Sequence, residues 1–94
     1  MEVTFKAKTI EALRSGKYTQ IRCKLKDGEN CYCVVGLLCH LLGLSEDVDS
    51  FGGFMYSPPR VILSVISIHE VSILMTMNDS GKTFEEIANY LEAQ

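Results

Sequence analysis

Apolar positions in the first fifteen residues recur at a spacing that a helix explains. Val3, Ile10 and Leu13 approximate one stripe, Ala7 and Ala12 favour helix, and Gly16 stands where a left-handed C-terminal cap belongs. The pattern predicts a helix over Thr4 to Ser15. From Tyr18 to Lys26 the period shortens to two, with Ile21, Cys23 and Leu25 on one face and Arg22, Lys24 and Lys26 on the other. That alternation predicts a strand with one wet face. Asp27-Gly28-Glu29-Asn30 is turn chemistry, and Cys31 to Val35 is the expected return strand of an antiparallel hairpin.

The run CVVGLLCHLLGL suits two readings, because Val34 and Val35 favour strand while Leu37, Leu38, Leu41 and Leu42 repeat at helical spacing. A short strand running into a helix that ends at Gly43 reconciles them. Ser45 to Tyr56 reads as an acidic loop carrying Phe51, Phe54 and Tyr56. Ser57-Pro58-Pro59 reads as an N-cap followed by prolines in a first turn, opening a helix from Pro58 to Ile66. Glu70 to Met77 forms a further apolar segment, stopped by Asn78-Asp79-Ser80-Gly81. Thr83-Phe84-Glu85-Glu86 is a capping box, and the helix it opens turns Phe84, Ile87, Ala88 and Leu91 inward. The expected architecture is a single α+β domain over residues 1–94, about four to five helices around a short antiparallel β-hairpin.

Ninety-four residues leave room for one domain, and 47% hydrophobic against 22% charged residues excludes a disordered or collagen-like chain. The formal net charge of −3 argues against a duplex nucleic-acid binder. Its distribution is uneven. Residues 1–30 carry seven basic and four acidic side chains, residues 31–94 two basic and eight acidic ones, so the two segments present opposite potentials. The N-terminal stretch lacks the apolar core of a signal peptide, and Val61 to Met77, broken by His69 and Glu70, falls short of the ~20 residues of a membrane span. The expectation is a cytoplasmic protein with reduced thiols.

Cys31, Cys33, Cys39 and His40 lie close enough in sequence to raise a zinc site, but their spacing does not match that of structural zinc ligands. Small buried hydrophobes are the simpler role for these cysteines. His40 or His69 paired with a thiol would make a nucleophile, yet nothing in the spacing selects a pair. His69-Glu70 reads instead as a polar break between two elements, or a satisfied core pair. No catalytic residue, metal or cofactor is assigned. The basic strip has more binding potential: Arg22, Lys24 and Lys26 would project ~7 Å apart from one strand face, spaced to bridge phosphates. Arg14, Lys17 and Tyr18 sit at the entry to that strand and extend the candidate site, the tyrosine as a stacking plane. The competing role for these lysines is to keep an edge strand from aggregating.

Three blocks, ALRSGKYTQ, CVVGLLCHLLG and MNDSGKTFEEIANYLE, resemble a group of short phage and prophage proteins. That group is patterned as ALRSG-x-Y-x-Q, an aromatic followed by Cys-Cys-Leu-Gly-Val-Leu-Cys, and Leu-Asn-Asp-x-Gly-x-x-Phe-x-x-Ile-Ala-x-x-Ile-Glu. The match is specific at Ala12 to Gln20, at Tyr32, Cys33, Gly36, Leu38 and Cys39, and at Asn78, Asp79, Gly81, Phe84, Ile87 and Ala88. Val34 replaces the second adjacent cysteine and Met77 a leucine; the former weakens any metal or redox role for that pair. The resemblance implies a source in the cytoplasm of an infected bacterium and carries no established activity, so no catalytic residue transfers.

The expected function is therefore that of a phage accessory protein that counters a host defence by binding rather than catalysis. Its expected partner is a phosphate-bearing nucleotide signal held by Arg14, Lys17, Tyr18, Arg22, Lys24 and Lys26, or alternatively a host defence protein that it occludes. A homo-oligomer is expected from the apolar Val61 to Met77 stretch together with Phe51, Phe54 and Met55.

Overall fold

The computed structural model describes residues 1–22, 30–43 and 60–94. Among these residues the chain forms α1 (Val3–Arg14), β1 (Thr19–Gln20), β2 (Cys31–Tyr32), α2 (Val34–Leu41), a 3-10 helix (Arg60–Ser64), α3 (Ile68–Asp79) and α4 (Phe84–Ala93). The coarse expectation of helices around a short two-stranded sheet holds. Its strand direction does not: β1 and β2 run parallel, with Thr19 opposite Cys31 and Gln20 opposite Tyr32. Thr19 N donates to Asn30 O at 2.7 Å and Ile21 N to Tyr32 O at 3.0 Å. A parallel pair needs a connection that returns to its starting end rather than a two-residue turn. Only Thr19 and Gln20 of the expected Tyr18 to Lys26 strand are strand residues among those described; Ile21, though its N–H still reaches Tyr32 O, and Arg22 lie beyond the strand. The remaining alternating positions, Cys23 to Lys26, and the turn Asp27 to Glu29 lie outside the described residues, as do the Ser45 to Tyr56 loop and Pro58-Pro59.

Helix α2 is the centre of the core. Val34, Val35, Gly36, Leu37, Leu38 and Cys39 are all buried, so this helix is enclosed on every side rather than along one stripe. It follows β2 directly, and the Cys33 thiol caps its first turn by accepting from Gly36 N at 3.4 Å.

Helix α1 packs most extensively on α4. Its inward positions are Phe5, Thr9 and Leu13, with Ile10 packed against the core; of the predicted stripe only Val3, 77% exposed, falls outside. Thr9 is tolerated inside because its hydroxyl donates to Phe5 O at 2.8 Å, leaving its methyl for packing. Glu2 caps the helix by accepting from Thr4 N and Phe5 N, and those two N–H groups hold its carboxyl below the usual range.

The expected helix over Pro58 to Ile66 is a 3-10 helix at Arg60–Ser64, in keeping with its β-branched content; Ile62 and Ile66 point into the core. Ser67 and Glu70 then form a capping box for α3. Glu70 also accepts from the Met1 amine at 2.9 Å, and His69 is exposed; both stand in the first turn of α3, so the break between elements falls just before them rather than at the pair. Helix α3 ends in a Schellman motif: Lys82 N donates to Met77 O, Gly81 N to Asn78 O, and Gly81 takes φ 108°. Helix α4 opens on the Thr83–Glu86 capping box and buries Phe84, Ile87, Ala88 and Leu91, as its pattern predicts.

Candidate functional site

Of the six sequence-predicted site residues, the four that the structure describes do not converge on one pocket. Arg14, in the last turn of α1, turns across to α4: its guanidinium donates to Glu85 at 2.9 Å, to Asn89 at 2.7 Å and to both carboxylate oxygens of Glu92 at 3.1 Å. These partners hold the Arg14 proton more tightly and push the Glu92 carboxyl down. Arg14 is a tether between helices. Arg22 lies on the other side of β1, its Nη2 in contact range of the α-carbon face of Gly81 at the α3–α4 turn. Lys24 and Lys26 lie outside the described residues.

Lys17 and Tyr18 do share a site. Gly16 takes φ 77°, a left-handed conformation that turns the chain back after α1, and Ser15 fixes the turn by donating to Ala12 O and accepting from Lys17 N. Lys17 and Tyr18 thereby return beside Lys8, Glu11 and Ala12 of α1 and Leu41 of α2, enclosing a cleft of about 130 Å³. Behind it, Tyr18 meets Tyr32 and His40 with ring centroids 5.8 and 5.5 Å away, in edge-on contacts. The Tyr32 hydroxyl lies 3.2 Å from His40 Nδ1. No carboxylate among the described residues pairs with Lys8, Lys17 or Arg22. Sequence reasoning missed Lys8 and Glu11. The available signal was their spacing to Ser15, which sets all three on one face of α1.

A larger concavity, about 710 Å³, runs along α3 past Ile68, Val71, Ser72, Met75, Thr76 and Asp79. Ile68 is 68% exposed on this helix.

The cysteines do not assemble a reactive or metal-binding centre among the described residues. No group of three or more His, Cys, Asp or Glu side chains there is arranged to hold a metal ion. Cys33 and Cys39 are buried, and burial pushes both thiols up, Cys39 to about 12. Cys31 is half-buried.

Gln20 and Asn78 serve the scaffold. Asn78 is fully buried at the end of α3; its Oδ1 accepts from Gln20 Nε2 at 2.9 Å and Val34 N at 3.1 Å, while Nδ2 donates to Ile21 O at 2.8 Å. Gln20 also accepts from Phe84 N at 3.0 Å and donates to Lys82 O at 2.7 Å. One amide pair thus joins β1, the start of α2, the end of α3 and the start of α4.

Searches of curated proteins and of solved structures returned no match to the chain. A family model does match, over residues 1–57, the stretch that contains α1, β1, β2 and α2. The chain belongs to that family, described as a domain of unknown function, DUF8296.

Proposed function

We propose that this chain is a phage accessory protein that acts in the host cytoplasm, countering a bacterial defence by binding a phosphate-bearing nucleotide signal without chemical turnover. The observation that carries this reading is the cleft at Lys17 and Tyr18. It brings an aromatic ring and two lysines with no carboxylate partner among the described residues to one concave surface. Phosphates are held by such ammonium groups and bases by such rings. The buried, protonated thiols of Cys33 and Cys39 support a role that does not use them as nucleophiles. No helix among the described residues is long and apolar enough to cross a membrane, which is compatible with cytoplasmic action. Calorimetric titration with cyclic nucleotides and ADP-ribose tests the proposal. Heat that disappears in Lys17→Ala supports it, and no heat with any of these compounds removes it.

A second reading, occlusion of a host defence protein, draws on the concavity along α3, where Ile68 is exposed. Pull-down from host lysate with the wild-type chain and with Ile68→Glu separates the two. A stoichiometric host partner lost in the variant favours occlusion over signal capture. Sedimentation of the free protein tests whether the same face supports the expected homo-oligomer.

A further inference from the structure

We infer that the cleft between α1 and the end of α2 is a nucleobase subsite, taking one amino-bearing ring against Tyr18 with the phosphate left outside on Lys8 and Lys17. This rests on the nucleotide-capture reading and specifies which part of the ligand enters and which stays out. Size gives the first constraint. A volume of about 130 Å³ corresponds to roughly four waters at ~30 Å³ each, far below the ~300 to 1,000 Å³ that encloses a whole drug-sized ligand. One ring fits inside; sugar and phosphate do not.

Charge gives the second. Ala12 and Ser15 border the cleft from the last turn and C-cap of α1, and Leu41 is the last residue of α2. Glu11 supplies the one carboxylate among the lining residues, exposed at the mouth like the two lysines. The mouth therefore accepts N–H donors. An exocyclic amine supplies such donors, as on adenine, guanine or cytosine, and the Glu11 carboxylate is the acceptor on hand. Lys8 and Lys17, both exposed, carry their ammonium groups on long stems to the rim. The walls give the third constraint. Ala12, Leu41 and the Tyr18 ring are apolar and half-buried, and Tyr18 is held in place by its edge-on contacts with Tyr32 and His40. A ring so fixed loses little entropy when a base stacks on it.

The test is a titration of the full chain with AMP, IMP and ribose 5-phosphate, beside ADP-ribose as the broader nucleotide probe. AMP is expected to bind about tenfold tighter than ribose 5-phosphate, the size of one stacking contact. AMP should also outbind IMP, which has no exocyclic amine, and Glu11→Ala should abolish that preference. Tyr18→Ala should weaken AMP about tenfold. Because that change also removes ring contacts inside the protein, Ala12→Met serves as a second variant. It fills the cleft from a helical position and leaves Tyr18, Tyr32 and His40 intact. Loss of AMP binding in Ala12→Met at an unchanged Tm supports the subsite. If ADP-ribose binds but neither Ala12→Met nor Tyr18→Ala weakens it, the subsite is overturned while nucleotide capture survives. Binding of none of the four compounds overturns both.

Discussion

Gln20 and Asn78 meet side chain to side chain, 58 positions apart in the chain, with Gln20 Nε2 donating to Asn78 Oδ1 at 2.9 Å. The contact is short in space and long in sequence. Asn78 is fully buried, so water cannot replace its partners if the amide is removed. Replacing Asn78 by Leu strands Val34 N and Ile21 O without their side-chain partner. The expected loss is about 2 to 4 kcal/mol, against about 1 to 2 for Gln20→Ala at a half-buried position. Urea denaturation of both single variants and the double variant checks this, and the pair should be non-additive.

Cysteine reactivity should follow burial. Cys33 and Cys39 are buried and their thiols are shifted upward, so at pH 8 in the native state both should resist iodoacetamide while Cys31 reacts ahead of them. In denaturant all three should label alike. Peptide mass spectrometry over a time course reads the order, and rapid native labelling of Cys39 would contradict its position in α2.

Acid should destabilise the fold through its capping carboxylates. Glu70 is held below its ordinary value of 4.5 first by the Met1 amine, Glu86 by the Thr83 N–H and Glu2 by the Thr4 N–H. A carboxyl depressed in the folded state favours folding above its unfolded value, and that contribution is lost as pH falls through the folded one. Stability should therefore be flat above pH 4.5 with respect to these groups and decline below it. Thermal melts between pH 3 and 6 measure the slope, and Glu70→Gln should make it shallower.

Thr83→Ala should cost about 1 kcal/mol, since it removes the oxygen that accepts from Glu86 N and leaves the first turn of α4 uncapped. Thr83→Ser should retain most of the stability. Chemical denaturation midpoints of the two variants distinguish loss of the cap from loss of the methyl group.

Arg14→Ala should lower the Tm at low ionic strength, and the difference should narrow as salt is added, because every partner of Arg14 on α4 is solvent-exposed. Nucleotide affinity should be unchanged in this variant, since its guanidinium faces α4 and does not border the Tyr18 cleft.

Helix α4 was legible because every local signal agreed: a capping box, a helical stripe and no β-branched run. Helix α1 was legible in extent and, at Ile10 and Leu13, in facing; the eye also counts Val3 as core and Thr9 as surface, whereas Thr9 satisfies its own hydroxyl and buries its methyl. Helix α2 was ambiguous for a physical reason. A helix enclosed on all sides has no polar face, so the helical spacing of its leucines is not set off against polar positions and a buried strand reads equally well. The parallel pairing was illegible, because two ladder residues per strand carry no alternation and a nearby Asp-Gly suggests a hairpin. Lys17 and Tyr18, chosen for their nearness in sequence, do line one cleft, but the turn of Arg14 toward α4 was illegible because its partners lie more than 70 residues away, where local pattern says nothing.

The stretch that matches the family model ends at residue 57, yet Leu74, Ile87 and Leu91, which belong to the same buried cluster as the residues of α2, come later. A fragment cut at that border would carry an oily rod with half its sheath missing, and expression should yield inclusion bodies rather than a tractable module. The indivisible cooperative unit extends at least to Leu91, so the recognised segment is a unit of inheritance and not a unit of folding.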